Sequence, residues 1–235
     1  MVDIHSHILY GIQDSPKNIE LSIEIARQYI SCGFMYVVST PHYNPALLDI
    51  DKFHIECEYK LNELNERLNQ EELLLSIVPG AEVMLSPELL EIQNINNLCI
   101  KDTNYMLIEF PWRYYPIWSE HVLFELELRN IIPILAHPER NDEIFNNYDR
   151  FIQLIDSGLI TQINAASLFS ANTKRRVRKL LEDNAVSFIA TDTHKPDERL
   201  SCFNKAIKIL DRKIGTLRTK NIIQNSSLVL TNENI

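Results

Sequence analysis

The sequence predicts an α/β fold in which short parallel strands alternate with helices and close into a barrel. Three observations favour this fold class. Seven short apolar or β-branched runs recur along the 235 residues, segments with helical spacing lie between them, and no Pro/Gly/Ser-rich linker or fixed-period repeat interrupts the series. Strands alternating with helices indicate βα units and a largely parallel sheet. We therefore expect one domain over residues 1–235, with an open doubly wound sheet as the alternative.

The seven predicted strands are nearly continuous in apolar residues. This pattern is typical of strands that are covered by helices on one face and by a packed interior on the other. They span Val2–Ile4, Met35–Ser39, Leu74–Val78, Tyr105–Phe110, Ile132–Ala136, Ile160–Ile163 and Val186–Ala190.

The predicted helices carry apolar residues every three or four positions. The first stripe ends at Ile30, and Gly33 follows as a helix C-cap. The polar, Asn-rich tail after Gly215 has no pattern that assigns it an element. The stripes consist of Ile19, Ile23, Ala26 and Ile30; Phe53, Cys57, Leu61, Leu64 and Leu68; Val122, Leu126 and Arg129 within residues 119–130; Ile152, Leu154 and Ile155; Val177, Leu180 and Leu181; and Leu200, Phe203, Ile207 and Leu210.

Composition and charge exclude several classes of function. The net charge of −9 argues against nucleic acid as the main partner, because binding a phosphate backbone needs a basic surface. It leaves open a small phosphorylated substrate, which needs only a few local cations. No apolar run reaches the roughly 18 residues of a membrane span, so no membrane insertion is expected. The N-terminus lacks the basic and apolar regions of a signal peptide, which predicts a cytoplasmic protein.

The four cysteines do not predict a catalytic thiol. They are scattered, form no Cys-x-x-Cys pair, and are typical of reduced core residues. A cysteine-based phosphatase loop has an arginine six positions after its cysteine. After Cys32, Cys57, Cys99 and Cys202 those positions hold Val38, Glu63, Tyr105 and Lys208.

Histidines concentrate where the predicted strands end. Five of the seven histidines lie at such ends, and only His54 and His121 fall in predicted helices, where we interpret both as non-ligands. In parallel α/β barrels the carboxyl ends of all strands meet at one face, which is where active sites lie. The candidate residues at these ends are His5, His7, Asp14, His42, Glu82, Glu109, His137, Asp192 and His194.

Clustered imidazoles and carboxylates at buried strand ends would be costly without a partner, and a divalent cation supplies one. The rings of His5 and His7 lie on the same side of their strand, because side chains alternate with a period of two. Imidazole suits zinc and iron, whereas carboxylate suits magnesium and manganese. The mixture predicts a metal-dependent hydrolase and leaves manganese, zinc and iron open.

Six motifs at these positions resemble those of the polymerase-and-histidinol-phosphatase (PHP) superfamily, most closely its bacterial manganese-dependent tyrosine phosphatases of the CpsB/CapC group. The resemblance covers residues 2 to about 194. The motifs are residues 3–7 (DIHSH), 40–42 (TPH), 79–82 (PGAE), 107–111 (LIEFP), 136–140 (AHPER) and 191–194 (TDTH).

The resemblance implies a distorted seven-stranded (β/α) TIM-like barrel with three metal ions, manganese being the first expectation. By motif, His5, His7, Glu82 and Asp192 would hold the first ion. Asp14, His42 and His194 would hold the second, and Glu82, Glu109 and His137 the third. The resemblance also implies a protein-tyrosine phosphatase acting on a tyrosine autokinase of capsular or exopolysaccharide export.

Two arginines and Asp14 are the candidate catalytic residues. Arg140 follows His137 by three residues and Arg199 follows His194 by five, and guanidinium groups match phosphoryl oxygens bidentately. For Arg199 an ordinary surface position is an equally good interpretation. Asp14 could protonate the leaving group, although no residue is an evident dedicated acid. The loop around Asp14 departs from the group's pattern at Gln13 and Ser15, which bears on the second metal site.

The aromatic segment after the fourth strand, residues 110–118, contains both tryptophans of the chain. We interpret it as a hydrophobic lid or a subunit contact of a homo-oligomer, with stacking on a phosphotyrosine ring as the alternative. Two other functions stay open. One is a small-molecule phosphatase of the histidinol-phosphate type, which the metal motifs hardly distinguish. The other is a non-catalytic metal-binding module, which would require a lost ligand or a longer chain.

Overall fold

Parallel strands alternate with helices along the chain in the computed structural model, which describes residues 1–197 and 199–235. The strands and α-helices in chain order are β1 (Val2–Ser6), α1 (Ile19–Ser31), β2 (Tyr36–Ser39), β3 (His42–Tyr43), α2 (Ile50–Gln70), β4 (Ser76–Pro79), β5 (Glu82–Met84), β6 (Tyr105–Glu109), α3 (Ser119–Leu128), β7 (Ile132–Ala136), α4 (Asp142–Asn146), α5 (Tyr148–Asp156), β8 (Ile160–Asn164), α6 (Lys174–Glu182), β9 (Phe188–Ala190), α7 (Arg199–Ile214) and α8 (Thr216–Leu230).

The strands form two parallel sheets. One has the order β1-β2-β4 and the other the order β3-β5-β6-β7-β8-β9, so the described residues contain nine strands. The predicted count of seven was therefore wrong. Two of the predicted strands are followed, after a break, by a short strand in the other sheet, and these short strands carry His42 and Glu82.

The breaks have local causes. Pro41 has no N–H group and cannot donate to a ladder, and it separates β2 from β3. Gly80 separates β4 from β5, and a Cβ atom built on it would lie 3.0 Å from Cγ1 of Val38. A side chain at this position would require Val38 to shift by a few tenths of an ångström, and glycine avoids this crowding against β2. The chain then enters the second sheet, where His42 and Glu82 are register partners.

The first and last strands meet at a single point. Ser6 and Thr193 form an isolated parallel bridge. His7 N donates to Thr193 O at 2.9 Å, and Asp192 N donates to His5 O at 3.0 Å. Apart from this bridge, no ladder joins β1 to β9 within residues 1–197 and 199–235. The fold is thus a mixed α/β fold with parallel sheets, and these contacts form the seam between them.

Helix α1 ends as its sequence predicts. Gly33 has φ +87° and donates to Ile30 O, while Phe34 N donates to Tyr29 O. This pair of bonds is a Schellman motif, which needs a residue with positive φ and is usually closed by an apolar contact. The rings of Tyr29 and Phe34 provide that contact, with centroids 5.2 Å apart. The motif aims the chain into β2.

The tail after Gly215, which the sequence left unassigned, is helix α8. It packs against β1 and β9 and buries Val229 completely in the smaller of two apolar clusters. Asn225 Nδ2 donates to Ser187 O at 2.9 Å, and Tyr105 OH donates to Glu233 O at 2.6 Å. Ser187 precedes β9 and Tyr105 begins β6, so the tail covers the amino-terminal ends of the strands.

The larger apolar cluster lies between the sheets and the surrounding helices and includes the buried faces of α1, α2, α3, α6 and α7. The polar residues of the site stand at the opposite end of the strands from α8, above this packed interior.

Among the residues that the structure describes, no helix combines the length and apolarity needed to cross a bilayer.

Candidate metal centre

All five strand-end histidines converge on one site with four carboxylates. His5 and His42 lie in β1 and β3, Glu82 begins β5, and Glu109 ends β6. The remaining members follow the ends of their strands. The structure brings these residues together, as the sequence predicted. Their individual ligand roles stay predictions. The set comprises His5, His7, Asp14, His42, Glu82, Glu109, His137, Asp192 and His194.

Glu82 lies at the centre of the set and is fully buried. Its Oε2 atom lies 3.2 Å from His5 Nε2, 3.1 Å from His7 Nε2 and 3.1 Å from His42 Nδ1. Its Oε1 atom lies 2.7 Å from His137 Nε2. One carboxylate thus contacts four histidines from three strands, β1, β3 and β7.

The donor atoms fit a cation better than they fit one another. Glu82 Oε2 makes no hydrogen bond, although three imidazole nitrogens surround it. His5 Nε2 and His7 Nε2 lie 3.2 Å apart and face each other. Two nitrogens that both bind the same zinc-sized ion at about 2.1 Å would be separated by roughly this distance. Buried polar atoms without hydrogen bonds are costly, so the residues present fit a metal centre.

Four overlapping groups of donor atoms lie within 4.8 Å of one another. They agree with the resemblance for His5, His7 and Glu82, for the pair His42 and His194, and for the pair Glu82 and Glu109, and they differ in other memberships. His42 joins Glu82 and Glu109 in one group and His7 and His194 in another, whereas His137 joins His5 and Asp192. Asp14 belongs to none of these groups. Among the described residues it forms an ion pair with His194, whose Nε2 atom lies 3.2 Å from Asp14 Oδ2.

Two amides that the sequence analysis did not include support the ligands from β8. Gln162 Oε1 lies 2.8 Å from His5 Nδ1, and Gln162 Nε2 donates to Asn164 Oδ1. Asn164 Nδ2 then donates to Asp192 Oδ2 at 2.6 Å. A proton on His5 Nδ1 leaves the lone pair of Nε2 directed at Glu82, which suits a ligand. The signal in the sequence was two amide side chains, two positions apart, in the predicted strand and directly after it.

Asp3 is a buried carboxylate that anchors the seam and is not among the donor groups. It accepts hydrogen bonds from Tyr29 OH at 2.7 Å and from Thr191 N at 3.1 Å. Burial raises its pKa, although these hydrogen bonds oppose the shift. Asp3 thereby joins β1 to α1 and to the residue that follows β9, and it fixes the strand that carries His5.

Three candidate site residues have left-handed backbone conformations. Asp14 has φ +55°, His137 has φ +33° and Asp192 has φ +53°. Such values are uncommon outside glycine and are tolerated best by Asn, Asp and His. Strained backbone is concentrated at functional sites, where the surrounding structure holds it. Here each such residue turns a side chain into the cluster directly after a strand or in the loop that faces it.

The cluster perturbs the pKa values of its own members. Burial would lower the pKa of His5, but the carboxylates of Glu82 and Asp192 outweigh it and raise that pKa to about 10. Burial would raise the pKa of Glu82, and the charge of His5 with the contact of His137 holds it well below the usual range. Burial and the neighbouring His7 lower the pKa of His194 to about 4. Strong opposed shifts in one cleft are typical of functional sites.

Two guanidinium groups stand at the rim. Arg140 NH1 donates to Asp192 Oδ2 at 2.9 Å, and its side chain is 38% exposed. Arg199 begins α7; its NH1 donates to the backbone oxygen of Asp192 and lies 3.0 Å from His194 Nδ1. Arg199 therefore has two contacts at the site, its side chain is 36% exposed, and its role stays a prediction.

The loop that presents Asp14 is closed by the residue that departs from the expected pattern. Ser15 Oγ donates to Ile12 O at 2.5 Å and accepts from Ile12 N at 3.0 Å. Gly11, with φ +70°, donates to Pro16 O at 2.7 Å. The loop is thus ordered by local bonds, and the Asp14 side chain is 70% exposed at the open edge. His54 and His121 are exposed on α2 and α3, away from the donor groups.

Cavities open on either side of the cluster. One, of about 260 Å³, is lined by Arg140, Asn164, Asp192, Arg199 and hydroxyl-bearing residues that follow β8. Another is lined by Glu109, His137, Arg140 and part of the aromatic segment. Trp112 in that segment is 65% exposed, with Arg140 Cζ 5.9 Å from its ring centroid. The segment therefore borders the site, and whether it acts as lid, subunit contact or stacking surface stays a prediction.

Comparison with protein families identifies this arrangement. The family model described as capsular polysaccharide synthesis, CpsB/CapC, matches residues 1–231. The chain belongs to the CpsB/CapC family. The motif-based prediction is confirmed. This chain is 36% identical over 243 residues to CapC of Staphylococcus aureus, covering 100% of this chain and 93% of CapC. It is 32% identical over 239 residues to the tyrosine-protein phosphatase YwqE of Bacillus subtilis strain 168, with coverage of 100% and 93%.

Solved structures agree with this membership. A structure from a study of YwqE from Bacillus subtilis and CpsB from Streptococcus pneumoniae, described there as metal-dependent tyrosine phosphatases, matches with a TM-score of 0.91. It shares 31% identity, and the match covers 100% of this CpsB/CapC chain and 96% of the other. A histidinol phosphate phosphatase of Lactococcus lactis, complexed with zinc, L-histidinol and phosphate, matches with a TM-score of 0.54 at 14% identity, over 88% and 92% of the chains. That likeness concerns the fold alone.

Proposed function

We propose that this protein is a metal-dependent protein-tyrosine phosphatase that hydrolyses phosphotyrosine. The observation that carries the proposal is the convergence of five histidines on the carboxylate of Glu82 and its neighbours, with Arg140 and Arg199 at the rim. Membership of the CpsB/CapC family and similarity to named tyrosine-protein phosphatases support the choice of substrate.

The two sheets are proposed to close into a distorted barrel within one PHP-type domain over residues 1–235. The hydrogen bonds of His5 and His7 to Asp192 and Thr193 support closure at the seam. The short strands β3 and β5 support it on the other side, because each continues a strand of the first sheet into the second.

The centre is proposed to hold three divalent ions, with manganese first and iron or zinc as alternatives. His5, His7, Glu82 and Asp192 would hold the first; the remaining candidates would hold the others, with Glu82 shared. When bound, such cations supply a Lewis acid that polarises phosphoryl oxygens and the attacking water. The mixed imidazole and carboxylate donors are compatible with all three metals.

Arg140 and Arg199 are proposed to bind the phosphoryl group. Both guanidinium groups line the 260 Å³ cavity beside Asp192. Asp192 orients both of them, through its carboxylate for Arg140 and through its backbone oxygen for Arg199. Guanidinium donors fixed in this way match phosphoryl oxygens and stabilise the charge that develops on them in the transition state.

Asp14 is proposed to act on the leaving group. Its carboxyl group stands at the open edge of the cluster beside His194, where a departing tyrosine would pass. A phenolate has a pKa of about 10 and needs less protonation than an alkoxide. A carboxyl group at the exposed edge of the centre is suited to this limited assistance.

The physiological substrate is proposed to be a tyrosine autokinase of capsular or exopolysaccharide export. The description of the family supports this partner, and so do the names of the relatives. Cytoplasmic localisation and a homo-oligomer stay predictions.

The test is hydrolysis of a phosphotyrosine peptide by the purified protein before chelation, after chelation, and after manganese is restored. Activity that is lost with the chelator and returns with manganese, and that survives thiol alkylation, is the expected result. Faster turnover of histidinol phosphate would instead assign a small-molecule phosphatase. A metal-loaded protein that hydrolyses neither substrate would be the non-catalytic module.

A further inference from the structure

A cavity of about 430 Å³, here called the Leu47 cavity, borders the metal centre on the side of β3 and β5. Neither arginine lines it, so it is separate from the 260 Å³ cavity of Arg140 and Arg199, here called the arginine cavity. Its lining joins three candidate ligands to three residues with large side chains of low polarity: Asp14, His42 and Glu109, and Tyr43, Leu47 and Met84.

One imidazole ring lies between the two cavities. His194 Nδ1 is 3.4 Å from Asp192 Oδ1, and Asp192 lines the arginine cavity. His194 Nε2 is 3.2 Å from Asp14 Oδ2, and Asp14 lines the Leu47 cavity. A phosphate monoester that spans the width of this ring would therefore place its phosphoryl group beside the arginines and its organic group in the Leu47 cavity.

The cavities described at the centre differ in their suitability for an aromatic ring. Ala166 is the one apolar residue in the lining of the arginine cavity, which suits a phosphoryl group. The cavity beside Trp112 has a volume of about 20 Å³, which is room for about one water molecule. A cavity of about 150 Å³ admits a benzene ring. The Leu47 cavity, at about 430 Å³, exceeds this volume and contains apolar side chains.

Leu47 stands on a turn whose backbone is fixed, although its side chain is 79% exposed. The backbone oxygen of Asn44 accepts from Leu47 N at 3.0 Å and from Leu48 N at 2.9 Å. The side-chain oxygen of Asn44 accepts from Ala46 N at 3.0 Å. A ligand that covers Leu47 would remove apolar surface from water without having to order this part of the chain.

Met84 extends the strand that carries Glu82. Side chains two positions apart in a strand lie on the same face, so Met84 stands on the face of β5 that presents Glu82 to the centre. Met84 is also the register partner of Glu109 in β6. A thioether is polarisable and packs favourably against aromatic rings. Met84 is thus placed to contact a ring whose phosphoryl group lies at the centre.

We propose that Leu47 and Met84, with Tyr43 beside them, bind the aromatic ring of the substrate and make the site prefer aryl over alkyl phosphate monoesters. The proposal rests on the proposed phosphatase function and assigns its specificity to named residues. Asp14 lines the same cavity, so the phenolate oxygen would depart beside the carboxyl group proposed to assist it. The aromatic segment around Trp112 would then have no part in binding the ring.

The test measures binding of two inert analogues, methylphosphonate and benzylphosphonate, to the manganese-loaded protein by titration calorimetry. The two share a phosphonate group and differ by one aromatic ring, so the ratio of their dissociation constants reports the contribution of the ring. The ratio is measured for wild type, Leu47→Ala, Met84→Ala, Trp112→Ala and Leu74→Ala. Leu74 is the matched control, because it is an 88% exposed leucine that lies shortly before β4, at the opposite end of the strands.

Wild type should bind benzylphosphonate more tightly than methylphosphonate by at least about tenfold, because the ring leaves water for an apolar wall. Leu47→Ala and Met84→Ala should each reduce this preference roughly three- to tenfold, through weaker binding of benzylphosphonate. Trp112→Ala and Leu74→Ala should leave it unchanged. A wild-type ratio near one would overturn the proposal, and so would a preference that falls at least as much in Trp112→Ala as in the two pocket variants.

Hydrolysis of free phosphotyrosine tests the phosphatase function, whereas the phosphonates test the pocket by binding alone. Hydrolysis together with a phosphonate ratio near one would keep the phosphatase and reject the pocket. A preference for benzylphosphonate that depends on Leu47, in a protein that does not hydrolyse phosphotyrosine, would reject the phosphatase and keep a binding site for aryl phosphates. If both hold, Leu47→Ala should lower kcat/KM for phosphotyrosine roughly three- to tenfold and leave that for phosphoserine unchanged.

Discussion

Glu82 Oε2 lies 3.1 Å from His7 Nε2, and yet this oxygen makes no hydrogen bond. Both side chains are fully buried. Close approach without hydrogen-bond geometry is the expected arrangement of two ligands that point at a common cation rather than at each other.

Replacing Glu82 by Gln tests this interpretation with little change in shape. The amide keeps the volume and removes the charge that four histidines share, so the centre should lose metal. We expect metal content to fall and turnover to fall by at least about 100-fold. Elemental analysis and phosphotyrosine hydrolysis measure the two effects, with circular dichroism as the check on folding. A variant with normal metal content and a normal rate would remove Glu82 from the centre.

His42→Ala should abolish hydrolysis, because His42 Nδ1 contacts both Glu82 and Glu109 at 3.1 and 3.3 Å. Its matched controls are His54→Ala and His121→Ala, which change exposed histidines outside the donor groups. Turnover should fall about 100-fold or more in the first variant and stay near wild type in the controls. His137→Ala should behave as His42→Ala does. Near-normal rates in either site variant would contradict the cluster assignment.

Arg140→Lys should separate phosphoryl binding from metal binding. Lysine keeps the charge and loses the planar fork that can hold two oxygens at once. We expect kcat/KM to fall roughly 10- to 100-fold with metal content unchanged. If the variant loses metal, Arg140 acts mainly by holding Asp192, whose carboxylate it contacts at 2.9 Å.

Metal binding should release protons. The pKa of His5 is raised to about 10 in the metal-free protein, so this ligand holds a proton at neutral pH that a cation must displace. Apparent affinity should therefore increase from about pH 6 to pH 8. The stability of the metal-free protein should change in the opposite direction. The contribution of protonated His5 to the free energy of unfolding is lost as pH rises through about 10. Titration calorimetry in two buffers with different ionisation enthalpies counts the protons, and equal heats in both would argue against the exchange.

Val229→Ala should destabilise the fold through the tail. Val229 is fully buried beneath the strands, whereas Leu217 on the same helix is 77% exposed. We expect a loss of about 2 kcal/mol in the free energy of unfolding for Val229→Ala and under about 0.5 kcal/mol for Leu217→Ala. Urea denaturation at equilibrium measures both. Similar small losses would mean that α8 is not part of the cooperative core.

The sequence predicted the strand cores well, because apolar runs between helices leave few other folds. Ile132–Ala136 was predicted to the residue. It did not predict β3 and β5, which have two and three residues and follow Pro41 and Gly80. Strands this short have no periodicity to detect, and only the neighbouring sheet makes them strands.

The site followed from topology, since residues far apart in sequence meet wherever parallel strands end. Its supporting residues did not follow. Gln162 and Asn164 lie in no motif, and Asp3 lies in the first motif without a predicted role; the roles of all three depend on which neighbours face them across the sheets. The tail illustrates the same limit. Helix α8 has only a weakly defined apolar face, and contacts with strand ends, which this pattern does not predict, hold it in place.

The seam between β1 and β9 runs through the ligands themselves. His5 and His7 stand on one side of it and Asp192 and His194 on the other, with the Ser6–Thr193 bridge between them. A cation that binds ligands on both sides therefore links the two strands, and the sheets cannot separate there unless the metal dissociates. Metal binding and local opening of the backbone are therefore thermodynamically linked. Slow hydrogen exchange of the His7 and Asp192 amides would then report the fraction of the enzyme that has metal bound.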